Sequence, residues 1–205
     1  MSFQFRCTAG CGAALAASLI ATLPAHAHHM MDGKLPATFM QGLLSGLGHP
    51  VIGLDHLAFT LAAGLAVAAA GLPLLLPVLF VAISCIGVGL HVAGVNLPAS
   101  ELLVALSVLT AGSVIASGRK LPVAFWAALF AFAGLFHGYA YGESIYGAEA
   151  TPIASYLLGL AVIQSLIAVG AALALRNRAW IAGLFPRLAG GLVALVGLAV
   201  LATQV

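Results

Sequence analysis

The sequence predicts an all-α, polytopic membrane protein with six transmembrane helices after a cleaved N-terminal signal peptide. Three observations carry that prediction. The chain is 63% hydrophobic and only 6% charged, with mean hydropathy +1.17, whereas soluble domains carry about 25% charged residues. A soluble domain of this size still exposes much of its surface, so a buried core does not account for the missing charge. Apolar runs of spanning length recur with turn chemistry between them. Apart from Arg6 and Lys34, Lys and Arg cluster at alternate breaks between the spans. The formal net charge of +2 is small and scattered, which excludes a nucleic-acid partner as an expectation.

Residues 1–27 read as a signal peptide. Arg6 supplies a positive start, Ala9 to Leu23 a short apolar stretch, and Ala25-His26-Ala27 an A-x-A cleavage site. Cleavage there makes residues 28–205 a single six-helix transmembrane domain, beginning His28-His29-Met30-Met31-Asp32 outside the cytoplasm. An uncleaved first helix is the rival reading, although its apolar run is shorter than the ~20 residues a span needs.

The spans are expected near 42–69, 73–93, 98–117, 122–141, 152–175 and 187–204. Breaks at Gly71-Leu72-Pro73, Asn96-Leu97-Pro98, Ser117-Gly118-Arg119-Lys120-Leu121-Pro122 and Thr151-Pro152 separate them. Arg119 and Lys120 lie between spans three and four; Arg176 and Arg178 lie between five and six, with Arg187 at the start of the sixth. Only Glu143 and Glu149 lie between four and five. Cytoplasmic loops favour Lys and Arg, so this pattern predicts an inner-membrane protein with a periplasmic N-terminus. Gly134, Gly138 and Gly142, and likewise Gly42 and Gly46, recur every four residues, as close helix packing in membranes requires. With Cys7 and Cys11 removed, Cys85 is left alone in an apolar helix, so no disulfide framework is expected.

The chemistry concentrates in Gly48-His49-Pro50-Val51-Ile52-Gly53-Leu54-Asp55-His56. Ionisable side chains in a span are costly and point to function. His49 and His56 are two turns apart, about 10 Å along a regular helix, which is too far to share an ion. Pro50 and Gly53 weaken the helix between them, so a kink is expected to bring the imidazoles together. Asp55 then serves as a ligand or orients an imidazole. His91, His137 and Glu143 fall toward the same outer side, and His28, His29 and Asp32 join them from the N-terminus. A His and carboxylate set without thiolate suits Ni²⁺, Co²⁺ or Zn²⁺. Gln164 and Ser84 are assigned to helix packing, and Tyr139, Tyr141, Tyr146 and Tyr156 to an aromatic belt.

His49-Pro50-x-x-Gly53-x-Asp55-His56, together with Phe136-His137-Gly138-Tyr139-Ala140 and Glu143, resembles the HupE/UreJ family of nickel permeases. The resemblance spans essentially the whole mature chain. It implies uptake of Ni²⁺, or Co²⁺, in support of hydrogenase or urease maturation, with maturation proteins as cytoplasmic partners and no prosthetic group. It assigns transport roles to His49, Asp55, His56, His137 and Glu143. Many members carry a second histidine four residues after the first in span four, where this chain has Tyr141.

Two other classes are weighed against a permease. An intramembrane zinc hydrolase needs a closed His/Asp site with an open water position, and the chain lacks the H-E-x-x-H pattern. A membrane scaffold would hold the ion without moving it. Neutral imidazoles suit a permease, which must bind weakly enough to release, and predict uptake that weakens as acid protonates them below about pH 6.5.

Overall fold

The computed structural model describes residues 34–204. The expected signal peptide, His28, His29 and Asp32 lie outside the described residues. Seven α-helices follow in order: α1 Phe39–Ile52, α2 Leu54–Ala70, α3 Leu75–Val92, α4 Ser100–Ser117, α5 Val123–Gly142, α6 Ala150–Leu175 and α7 Phe185–Ala202. Short 3₁₀ turns occupy Glu143–Ile145 and Ala179–Ala182. No strand occurs among the described residues.

Helices α3 to α7 are each long and apolar enough to cross a membrane, while α1 and α2 form a pair bent by 78°. The expected first span is therefore broken. At 14 residues, α1 is about 21 Å long, short of a ~30 Å hydrocarbon core. The cause is local. Pro50 has no N–H to give to the turn before it, and Gly53 leaves the helical region, with φ −70° and ψ 108°. Its N–H still bonds to His49 O at 3.1 Å, and its carbonyl starts α2 by accepting from Leu57 N at 2.9 Å.

Glycine contacts fix how the helices run. Along α6, Gly42 meets Pro152 and Ser155, Gly46 meets Tyr156 and Leu160, and Gly64 meets Ala168 and Ala172. The contact point advances one way, so the bent pair as a whole follows α6 from its start toward its end. Ala69 and Ala70, at the far end of α2, line a cavity with Arg119, Lys120 and Arg187. The bent pair thus passes from one end of the bundle to the other. Gly134, Gly138 and Gly142 likewise lie against Phe80, Ser84 and His91, so α3 and α5 run parallel. Gly112 and Gly197 pair α4 with α7 in the opposite sense. The expected packing role of these glycines accounts for the tight interfaces.

This up-and-down order sorts charge. Glu101, Glu143 and Glu149 fall at the end where α4 and α6 begin; Arg119, Lys120, Arg176, Arg178 and Arg187 fall at the other. Between the two ends lies an aromatic core of buried Phe59, Phe80, Trp126 and Phe130, with the Phe59 and Phe80 rings 5.1 Å apart.

Candidate metal-ion site

The break at Gly53 creates the site. It ends α1 just after His49 and starts α2 just before Asp55 and His56, so both imidazoles turn into one space. Their ring centroids lie 5.8 Å apart, well inside the ~10 Å axial separation a straight helix would impose. Gly53 is required by close approach: a Cβ there would lie 2.6 Å from His56 Cδ2. Asp55 sits in the first turn of α2, and its Oδ1 accepts the His56 backbone N–H at 2.8 Å. A carboxylate at a helix N-terminus is favoured by the helix dipole.

A cavity of about 30 Å³ opens there, lined by His49, Asp55, His56, Glu101, Ala140, Glu143 and Ser144. That volume suits a single water or ion. His49, Asp55 and His56 are buried at 4–5% exposure, while Glu101 and Glu143 are exposed at the mouth. The acids form the entrance and the histidines the floor. Among the described residues, no three His, Cys, Asp or Glu side chains close on one point as a ready-made metal centre. The donors line a common space.

Hydrogen bonds orient both imidazoles. The Ser107 hydroxyl gives its proton to Val104 O at 2.7 Å, so it accepts from His137 Nε2–H at 2.9 Å. His137 Nδ1 is then an acceptor and takes the proton of His56 Nδ1 at 2.7 Å. On the other side, the Tyr156 hydroxyl donates to Tyr141 O at 2.9 Å and accepts from His49 Nδ1, also at 2.9 Å. These proton positions follow from the network. They leave the ring lone pairs of His49 and His56 on Nε2, the usual arrangement in a metal-ligating imidazole anchored through its other nitrogen.

The sequence candidates thus separate by position. His49, Asp55, His56 and Glu143 share the cavity. His137 stands one layer behind, fully buried, with both ring nitrogens engaged by His56 and Ser107. His91 lies apart from the cavity, its ring 4.4 Å from that of Tyr139 and 5.7 Å from that of Tyr146. Tyr141 occupies the position of the second span-four histidine, and its ring lies 5.0 Å from His49 and 4.3 Å from His56.

One reading of the sequence needs correction. An aromatic belt suits exposed Tyr146 but does not account for the other three tyrosines. Tyr141 and Tyr156 are fully buried and hold His49, and the Tyr139 hydroxyl pins the loop before α4 by bonding to Val95 O and Leu97 N. Glu101, which no motif singled out, lines the cavity. Its signal was an acid in the first turn of a span on the same side as Glu143. The loop leading to it carries Ala99 in the left-handed region, φ 58°, which is uncommon for a residue with a Cβ. Ser84 has the expected packing role, its backbone lying against Gly138, while its hydroxyl donates to Phe80 O within its own helix.

The family described as HupE / UreJ protein matches residues 15–200. The chain is 33% identical over 163 residues to Protein HupE of Rhizobium leguminosarum bv. viciae, covering 78% of this chain and 84% of that protein. No solved structure matches the chain. The chain belongs to the HupE/UreJ family.

Proposed function

We propose that this member of the HupE/UreJ family is an inner-membrane permease for a divalent transition-metal ion. The favoured cargo is Ni²⁺, with Co²⁺ as the alternative, serving hydrogenase or urease maturation. The observation that carries this reading is the broken first span, which turns two buried imidazoles and a carboxylate toward one small cavity with an acidic mouth. Broken helices that expose ligands inside a membrane domain are a recurrent transporter device.

In this reading the periplasmic side is the acidic end. Glu101 and Glu143 raise the local concentration of a divalent cation at the mouth. Nε2 of His49 and of His56 and the Asp55 carboxylate replace part of its hydration shell. His137 and Ser107 hold the His56 ring in register, as outer partners of metal ligands do. Neutral imidazoles bind an ion weakly enough to release it, which a permease needs. Cytoplasmic maturation proteins would receive the ion.

The test is entry of Ni²⁺, Co²⁺ and Zn²⁺ into sealed vesicles holding the purified protein, alongside His56→Ala. Entry of one ion, lost in a variant that remains folded, supports the permease. Binding without entry contradicts it and moves the assignment to a scaffold.

A further inference from the structure

The basic end carries a second cavity, of about 330 Å³, inside the range of ligand sites, roughly 300–1,000 Å³. It lies where α2, α4, α5 and α7 end or begin. Arg119, Lys120 and Arg187 line it together with apolar Ile115 and Ile181. Arg187 lies against Gly118, which caps α4 in the left-handed region at φ 65°. Trp126 forms part of the wall and is 2% exposed, and its indole N–H has no hydrogen-bond acceptor among the described residues. A buried donor of this kind is normally satisfied.

The positive-inside tendency explains basic loops in general. It does not explain why three cations share a cavity whose wall includes a buried, unpaired donor. Nor does any described acid fall at this end to neutralise them. Metal cations would be repelled here, so the cavity belongs to different chemistry from the histidine site.

We propose that this cavity binds the phosphate headgroup of an anionic phospholipid. The cations and the Trp126 N–H supply charge and a donor for phosphate oxygens, and the apolar wall of Ile115 and Ile181 receives the start of the acyl chains. A free phosphate has no use for that wall. Basic pockets between membrane helices are known headgroup sites in general.

The full chain, purified in neutral detergent, would be mixed with phosphatidylglycerol or phosphatidylcholine of equal chain length, and retained lipid read by native mass spectrometry. Phosphatidylglycerol is expected to be retained about 125-fold better, at about fivefold for each of the three cations near the headgroup. Arg119→Gln with Arg187→Gln should cut that preference to about the fivefold share of Lys120, and Trp126→Phe should weaken retention about threefold to tenfold. Arg176→Gln with Arg178→Gln, outside the cavity, should leave the preference intact. Equal retention of the two lipids would overturn the proposal. So would equal loss in both double variants, which would reduce the effect to general surface charge. Inorganic phosphate that displaces phosphatidylglycerol at millimolar concentration would overturn the lipid assignment.

Discussion

The two cavities of this bundle are opposites. At one end a space of about 30 Å³ has buried histidines on its floor and acids at its mouth. At the other a space of about 330 Å³ is bordered by cations and aliphatic side chains. Both lie where the described helices begin or end, and both are bordered by α2, whose first turn faces the small cavity and whose last turn faces the large one. Length and apolarity decide that the chain enters a membrane. The few polar residues decide what each end can hold. The small site is over-determined by hydrogen bonds and close packing; the large one relies on long, exposed side chains. Substitutions should therefore be felt sharply at the first and softly at the second.

The largest expected effect comes from the floor. His56→Ala removes an Nε2 donor and leaves His137 without its partner, so ion entry into vesicles should fall by more than the about 10–100-fold typical of outer-shell changes. A residual rate within tenfold of the parent would mean that the cavity is not the route. One layer out, Ser107→Ala deprives His137 of its acceptor, and uptake is expected to drop about tenfold. An unchanged rate, with the protein folded by circular dichroism, would break the claim that the Ser107-His137-His56 chain orients the ligand.

Gly53→Ala tests the break itself. A Cβ lying 2.6 Å from His56 Cδ2 pushes the imidazole off its rotamer at roughly 1 kcal/mol, or about fivefold in ion affinity. Titration of Ni²⁺ into the detergent-solubilised variant would show it. The smallest effect is expected at the mouth. Glu101→Gln and Glu143→Gln should each slow entry about threefold at low ionic strength, and the difference should fade in high salt as the charges are screened. A loss that persists in high salt would make these acids direct ligands rather than steering groups.

How much of this was legible in the sequence differs between the same two ends. Five of the spans fell within a few residues of their expected ends, because apolar length and Gly/Pro punctuation are strong local signals. The weakness at Pro50 and Gly53 was also local, so a break there was expected and is present. The motif residues His49, Asp55, His56 and Glu143 meet in one cavity. The positions of His137, His91 and Glu101 were not legible. Whether a histidine on a neighbouring helix faces the cavity or backs another histidine depends on helix rotation, which small-residue packing sets and no linear pattern states. Tyr141 and Tyr156 illustrate the same limit. Near a helix end they resemble interface anchors, but the close approach of α1 to α6 at Gly46 and Gly159 draws them inside. The basic-end cavity was invisible for a further reason, since its wall combines residues more than a hundred positions apart.

The central claim is that the broken span presents His49 and His56 through Nε2 to one ion beside a carboxylate. X-ray absorption at the nickel edge on Ni²⁺-loaded protein tests it most directly, with His49→Ala and His56→Ala alongside. The account predicts two imidazoles and oxygen donors around the metal, no sulfur, and one imidazole fewer in each variant. Sulfur scattering, or an imidazole count that neither substitution lowers, would contradict it.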